Sequence, residues 1–456
     1  MVASRRVRVG AFLAGLLAWA WGASAAAQIA PPAPERIPVG DWTLAPVVDV
    51  RVRGEYRHDL DAQDKGTLGE RVRLGVDVER GPIAARVVLQ DARLWDLGVR
   101  DDVIGQPTPF ALTTAYEAWG EAHTGGAHPS FVRVGRQPIT WGEGRLLGAA
   151  DWSPTARSLD AVRGRLVAGD WAFEALAAAL ADPVPPAGSL VGSAYGELLG
   201  VRAEWALDPL LAFELYGLAR IAQDSPTSTT LEDTVRGQVY TGALRLHGAA
   251  HAWSWGAEGA YQGGHVDHLG LDRGAFAAAG HVGFTFEHVR LLPTVRAGVA
   301  YASGDDGSSS QYRAFDPLLP DVHTWHGAMD LFAWSNELEG SVRAAAAPFT
   351  DAVVAVEYRY VRLAQAGGAW RTAYLETVGA ATGNTQGELA NEVDGSLAWS
   401  PWEPVELRAG YSLAVLGAGA KAILAARELG TIQSSGSLAQ PGLLHFAFAQ
   451  ASLRIP

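Results

Sequence analysis

The sequence predicts an all-β fold: a transmembrane antiparallel β-barrel of about eighteen strands, with short turns at one end and long loops at the other. Three observations carry that prediction. Polar and apolar residues alternate in segment after segment, the links between segments sort by length with strand parity, and no apolar run long enough for a spanning helix follows residue 28. A spanning helix needs about 20 apolar residues, whereas a spanning strand needs only about 9–11 with alternating character.

In chain order, the first element is "MVASRRVRVGAFLAGLLAWAWGASAAAQ". Arg5, Arg6 and Arg8 form a basic start, Val9 to Ala20 an apolar stretch, and small residues up to Ala27 a cleavage region. This is the pattern of a secretory signal peptide, assigned to 1–27. A Pro-rich leader, 28–46, is expected to be extended rather than packed.

The barrel is expected over 47–456 as a single domain. A chain of 456 residues would suit two or three ordinary domains, but closed barrels exceed the usual domain size. The first strand, "VDVRVRGEYR" (48–57), shows the pattern. Val48, Val50, Val52 and Tyr56 lie on one face, and Asp49, Arg51, Arg53, Glu55 and Arg57 on the other. The pattern recurs in "RVRLGVDVE" (71–79), "AVVAVEYRYVR" (352–362) and "EVDGSLAWS" (392–400), where helical periodicity fits poorly. An arginine facing lipid at mid-bilayer costs roughly 2–4 kcal/mol, so the charged face must point into a wet lumen. Backbone groups in hydrocarbon must all be paired, so the sheet must close.

Strand starts fall near residues 47, 70, 83, 114, 130, 160, 170, 197, 210, 235, 251, 275, 291, 332, 352, 391, 404 and 443. Even-numbered strands are followed by brief turns such as "GP" at 81, "GD" at 169 and "PWEP" at 401. Odd-numbered strands are expected to carry links of a dozen residues or more, including 92–113, 138–159, 303–331, 364–390 and 417–442. A soluble sandwich or propeller has no reason to sort its loops this way, whereas outer-membrane barrels have short periplasmic turns and longer external loops. Trp171, Trp399 and Trp402 fall near the short-turn end and suit an interfacial girdle.

Composition excludes some functions. There is no cysteine, hence no disulfide framework and no thiolate chemistry. A net charge of −13 opposes a nucleic-acid partner. Basic residues are almost all arginine, Lys65 and Lys421 being the only lysines. A GC-rich genome accounts for this as well as bidentate carboxylate recognition does.

Two segments do not alternate: "VRVGRQPITWGEGRLLGAADWSPTARSLDAVRGRL" (132–166) and "YASGDDGSSSQYRAFDPLLPDVHTWHGAMDLFAWSNEL" (301–338). Both resemble the alginate export family of outer-membrane β-barrels, a resemblance that runs from about residue 47 to the C-terminus in strand order and loop placement. Its most specific parts are "GRQ" with the following "DWSPTARSLDAVR", then "YASGD" with "FDPLLP". The resemblance implies a passive outer-membrane channel, typified by an exporter of an anionic uronic-acid polymer through an arginine-lined constriction. Matching positions are Arg133 and Arg136 on "FVRVGRQ" and Arg163 and Arg165 on "DAVRGRL", with Gln137, Arg145 and Arg157 in or beside the motif.

By parity Arg133, Arg163 and Arg165 share the expected lumenal face with Arg51, Arg53, Arg71, Arg73 and Arg86. Arg136 has lipid-side parity and is expected past the hydrocarbon edge or after a bulge. Glu55, Asp77, Glu79, Glu117 and Glu121 also point inward, so the arginines form either a ring that attracts carboxylates or a wall-stiffening ion-pair ladder.

Other motifs carry no site. "HVDH" (265–268) and "HTWH" (323–326) lack zinc-motif spacing and read as solvated loop histidines. "SGDDGSSS" (303–310) lacks the spaced ligands of a calcium loop. No GxSxG elbow supports a lipase-like enzyme. The expectation is therefore passive passage of polar or anionic solutes, with export of an anionic polysaccharide such as alginate favoured over a general diffusion porin, and a barrel enzyme or adhesive barrel less favoured. No catalytic residue, cofactor or metal is expected. The partners are outer-membrane lipid, the polysaccharide or other polar solutes, and periplasmic export proteins.

Overall fold

Alternation of the predicted kind runs the length of the sheet because each strand has one face for lipid and one for the interior. The computed structural model describes residues 36–97, 107–126, 129–181, 194–208, 210–222, 237–431 and 442–455. Among them eighteen antiparallel strands form the barrel. They are β1 (Trp42–His58), β2 (Asp64–Arg80), β3 (Ile83–Asp96), β4 (Pro107–His123), β5 (Phe131–Gln137), β6 (Leu159–Ala168), β7 (Trp171–Ala181), β8 (Ala194–Asp208) and β9 (Leu211–Ala222). The second half comprises β10 (Gly237–Ala250), β11 (Trp253–Val266), β12 (Leu271–Thr285), β13 (Thr294–Ala302), β14 (Glu337–Ala346), β15 (Ala352–Leu363), β16 (Glu388–Trp402), β17 (Val405–Leu416) and β18 (Leu443–Ile455). Each pairs with its sequence neighbours, and β1 pairs with β18 from Val48↔Ile455 to His58↔His445. The sheet is therefore closed and has no free edge.

The signal peptide assigned to 1–27 lies outside the described residues. β1 begins at Trp42, inside the segment read as leader, and Ile37–Val39 folds back on it as a short hairpin.

Outward positions carry the apolar set, with Val201 63% and Val299 65% exposed on the outer face. At the short-turn end Trp171 stacks on Trp205 (5.8 Å) and Phe173 (5.8 Å), and Trp253 meets Phe284 at 4.8 Å. Trp399 and Trp402 stand at the same rim. Such a belt suits the membrane–water boundary.

Loop lengths depart from strict parity at two places. The links after β1 (59–63) and after β11 (267–270) are short. In the first, Ala62 N–H donates to Asp59 O (2.9 Å) and Lys65 pairs with Asp59 (2.8 Å). In the second, a single 3₁₀ turn ends at Gly270, whose φ of +62° glycine adopts without strain. The link after β17 holds a helix that alternation does not reveal, α1 (Ala418–Thr431). Its alanines and leucines are strong helix formers, and Ala420, Ile423 and Leu424 bury one face against Leu389 and Val378.

The interior is layered, as β7 shows. Ala172, Glu174, Leu176, Ala178 and Leu180 alternate inward, the charge near the short-turn end and the apolar residues towards the long loops. The apolar layer is covered by the two segments that break the alternation.

Candidate functional site: two interlocked loops held inside the barrel

The β5–β6 loop (138–158) and the β13–β14 loop (303–336) fold into the lumen and grip each other. Gly148 N–H donates to Leu319 O (2.9 Å), Leu319 N–H to Leu146 O (3.1 Å), and Asp321 N–H to Gly144 O (2.7 Å). Arg157 Nη1 donates to Gly148 O (2.8 Å), Leu319 O (2.7 Å) and Pro320 O (2.9 Å). Glycine is required at 148, because a Cβ there would stand 2.7 Å from the backbone nitrogen of Asp321. Behind this seam Trp141, Leu146, Leu147, Phe315, Leu318 and Trp334 pack on inward residues of β6 to β13. Apolar burial thus seats the loops against one arc of the wall.

Arginines seat them against the rest. Arg51 Nη1 donates to Asp151 O (2.6 Å), and its Nη2 to Ser153 O (2.9 Å). Arg53 donates to Trp152 O (2.9 Å) and lies 3.8 Å over the Trp152 ring, which stacks on His323 at 3.5 Å. Arg71 and Arg73 reach Asp151 Oδ1 at 2.9 and 3.1 Å. Asp151 keeps 43% of its side chain open to the lumen yet lies deep within the barrel. Burial there would raise its carboxyl, but Arg71, Arg73 and Arg51 hold it far below the usual carboxylate range.

The second loop has its own anchor. Asp316 accepts from Arg220 Nη1 (3.1 Å), with Arg273 beside it at 3.9 Å, and Gln262 donates to its backbone oxygen (2.5 Å). Burial would raise the Asp316 carboxyl; Arg220 and then Arg273 reverse that and bring it to about 2. Further along, Arg57 donates to Met329 O (2.7 Å), and His323 sits 3.2 Å from Asp330.

The remaining predicted arginines are ion-paired along the wall. Arg86 forks onto Asp77 and reaches Glu117 at 3.4 Å. Arg133 meets Glu121 at 2.7 Å, Arg163 meets Glu174 at 2.6 Å, and Arg165 bridges Glu174 (3.3 Å) and Glu204 (2.6 Å). Arg202 continues the ladder to Glu204 (2.8 Å) and Glu214 (3.3 Å). Arg136 is not in this set: it shares the outward face with Val132 and Val134 and pairs with Asp160 (2.6 Å) near the strand end. It therefore does not line the lumen.

The structure thus brings Arg51, Arg53, Arg71 and Arg73 together on one loop, and places Arg86, Arg133, Arg163 and Arg165 in charge-paired rows. Asp151, the partner of Arg71 and Arg73, and Asp316, the partner of Arg220 and Arg273, lie inside the motifs "DWS" and "FDPLLP", and an acid within a non-alternating motif opposite inward arginines is the available signal. His323 and His326 also differ from expectation. They are half-buried and carboxylate-paired inside the barrel rather than solvated, because the loop that carries them turns inward. His265, by contrast, is exposed and pairs with Asp272 (3.0 Å), while Asp305 and Asp306 accept from Gly307 N–H (2.7 Å) and Ser308 N–H (3.1 Å) of their own turn.

A family model described as alginate export matches residues 46–423, which include both interlocked loops. The chain belongs to the alginate export family. Among solved structures, this family member is similar to Pseudomonas aeruginosa OccK2 (OpdF), with a TM-score of 0.58 at 10% identity, covering 90% of this chain and 98% of that one. It is similar also to Acinetobacter baumannii OccAB2 (TM-score 0.54, 12% identity, 90% and 98% covered) and to Pseudomonas aeruginosa OpdK, solved with vanillate (0.54, 11%, 90% and 98%). At such identities the likeness is one of fold. No curated protein matches the chain in sequence. Family and fold together make this an outer-membrane β-barrel of the porin-like channel type.

Proposed function

We propose that this family member is a passive, selective outer-membrane channel for anionic solutes, with export of a polyuronate such as alginate as its favoured task. The observation that carries the reading is the arginine cluster of β1 and β2, which faces the lumen around Asp151 and converges on the infolded loop. Guanidinium groups in a confined, low-dielectric passage attract carboxylates by focused potential. Each is already engaged by a carbonyl or carboxylate, so an arriving anion exchanges one partner for another and is released again, as conduction requires. Gradients and periplasmic export proteins supply direction, and no cofactor takes part.

A second reading, a general diffusion porin, is favoured by the ladder from Arg133 to Arg202, where every arginine has a carboxylate partner in the wall. Planar-bilayer conductance separates the two. Polyuronate added on one side should block or bias the current if the protein recognises the polymer. A current indifferent to polyuronate supports the general porin, and protein that inserts without any ion current defeats both.

A further inference from the structure

We propose that His326, Glu337 and Glu339 form a binding site for a transition-metal dication of the zinc type, which pins the inward loop to the barrel wall. His326 belongs to the "HTWHG" stretch of the β13–β14 loop; Glu337 and Glu339 face inward from the first residues of β14. Their ligand atoms all lie within 4.8 Å of one another. His326 Nδ1 is 3.0 Å from Glu337 Oε1 and 2.9 Å from Glu339 Oε2. Ligands at about 2.1 Å from one zinc ion stand roughly 3.0–3.4 Å apart, so both imidazole–carboxylate separations are close to those of groups sharing one ion.

An independent observation points to a cation: Glu337 is 2% exposed and its Oε2 accepts no hydrogen bond, an expensive condition for a buried carboxylate that a metal ligand removes.

The surroundings are those of a supported metal site. Arg359 holds Glu339 from the far side and pairs with Glu357 (2.6 Å), which fixes the orientation of the ligand carboxylate. Gly327 (φ +94°) lets the loop turn directly beneath His326, since a Cβ there would stand 2.5 Å from Glu392 Oε1. A small cavity bordered by Arg145, Asp321, His323 and Trp325 reaches His326. Imidazole with carboxylate suits zinc better than calcium, which prefers an all-oxygen shell.

The test is calorimetric titration of zinc chloride into the full-length protein in detergent after treatment with EDTA, at neutral pH, repeated with cobalt chloride to read the visible spectrum of the bound ion. The expected result is one saturable site per chain in the wild type. Glu337→Gln and His326→Gln should each weaken it by at least about tenfold, while His265→Gln, at an exposed histidine, leaves it intact. Heat-modifiable gel mobility confirms that each variant is a folded barrel, and Glu337→Gln retains the hydrogen bond to His326. No saturable uptake by the wild type overturns the proposal and favours a protonated imidazole bridging the two glutamates. Equal affinity in Glu337→Gln and the wild type overturns it as well, as does uptake of calcium in preference to zinc. None of these outcomes bears on whether the barrel conducts.

Discussion

Arg71 of β2 and Asp151 of the infolded loop meet 2.9 Å apart, 80 positions distant in sequence, with the arginine almost completely buried. The contact joins the barrel wall to the element that narrows its lumen. The charge pattern of the strands and the passage of solutes are therefore parts of one problem.

Replacing Arg71 by Ala leaves the Asp151 carboxylate with fewer cationic partners. The expected loss of stability lies below the roughly 3 kcal/mol at the lower end for breaking a fully buried ion pair, because Asp151 is 43% exposed and Arg73 remains at 3.1 Å. Single-channel conductance should rise as the loop loosens. A conductance equal to that of the wild type would mean that the loop's position does not depend on this clamp.

Gly148→Val tests the seam between the loops. The side chain would meet the Asp321 backbone, and overpacking of this kind costs about 1–3 kcal/mol. Hydrogen exchange should accelerate at Leu319 and Asp321, whose amides donate across the seam, and remain slow in β10 and β11. Uniform acceleration throughout the sheet would contradict a local effect.

Asp316 makes anchoring of the second loop acid-sensitive. Its carboxyl falls from the ordinary 3.8 to about 2 in the folded protein, so it stabilises the fold by about 2 kcal/mol at neutral pH. That contribution is fully present above about pH 4 and disappears as the pH falls to about 2. Thermal unfolding of Asp316→Asn against the wild type should show a gap at pH 7 that closes across this window. A gap that persists at pH 2 would assign the loss to packing instead.

The ladder and the selective ring make opposite predictions for the triple replacement of Arg133, Arg163 and Arg165 by Ala. Reversal potentials in a salt gradient should move towards cation preference if these side chains act on passing anions. An unchanged potential identifies them as wall stiffeners. Arg136→Leu is the control: it lies outside the lumen and should alter neither conductance nor selectivity.

The strands were legible because their cause is local. Each start read from alternation falls within seven residues of the observed one, and the opening contrast of Val52 with Arg51 and Arg53 is realised as an exposed valine between two buried arginines. The helix Ala418–Thr431 was not legible from a period-two search, since its face is set by Ala420, Ile423 and Leu424 at helical spacing. The half-buried histidines read as solvated in the sequence because long loops on a barrel are ordinarily external, and nothing near His323 or His326 in sequence announces an inward turn.

The sequence by itself determined the closed barrel, the face each strand turns to lipid and the end that carries the long loops. These follow from side chains choosing between hydrocarbon and water at two-residue intervals and from the need to pair every backbone group. Only the tertiary structure decided what the inward arginines hold. Arg57 and Met329 meet across 272 positions, and Arg51 reaches Asp151 across 100. Such partners are chosen by the geometry of closure and by loop residues whose own neighbours in sequence give no periodic sign of where they will be buried.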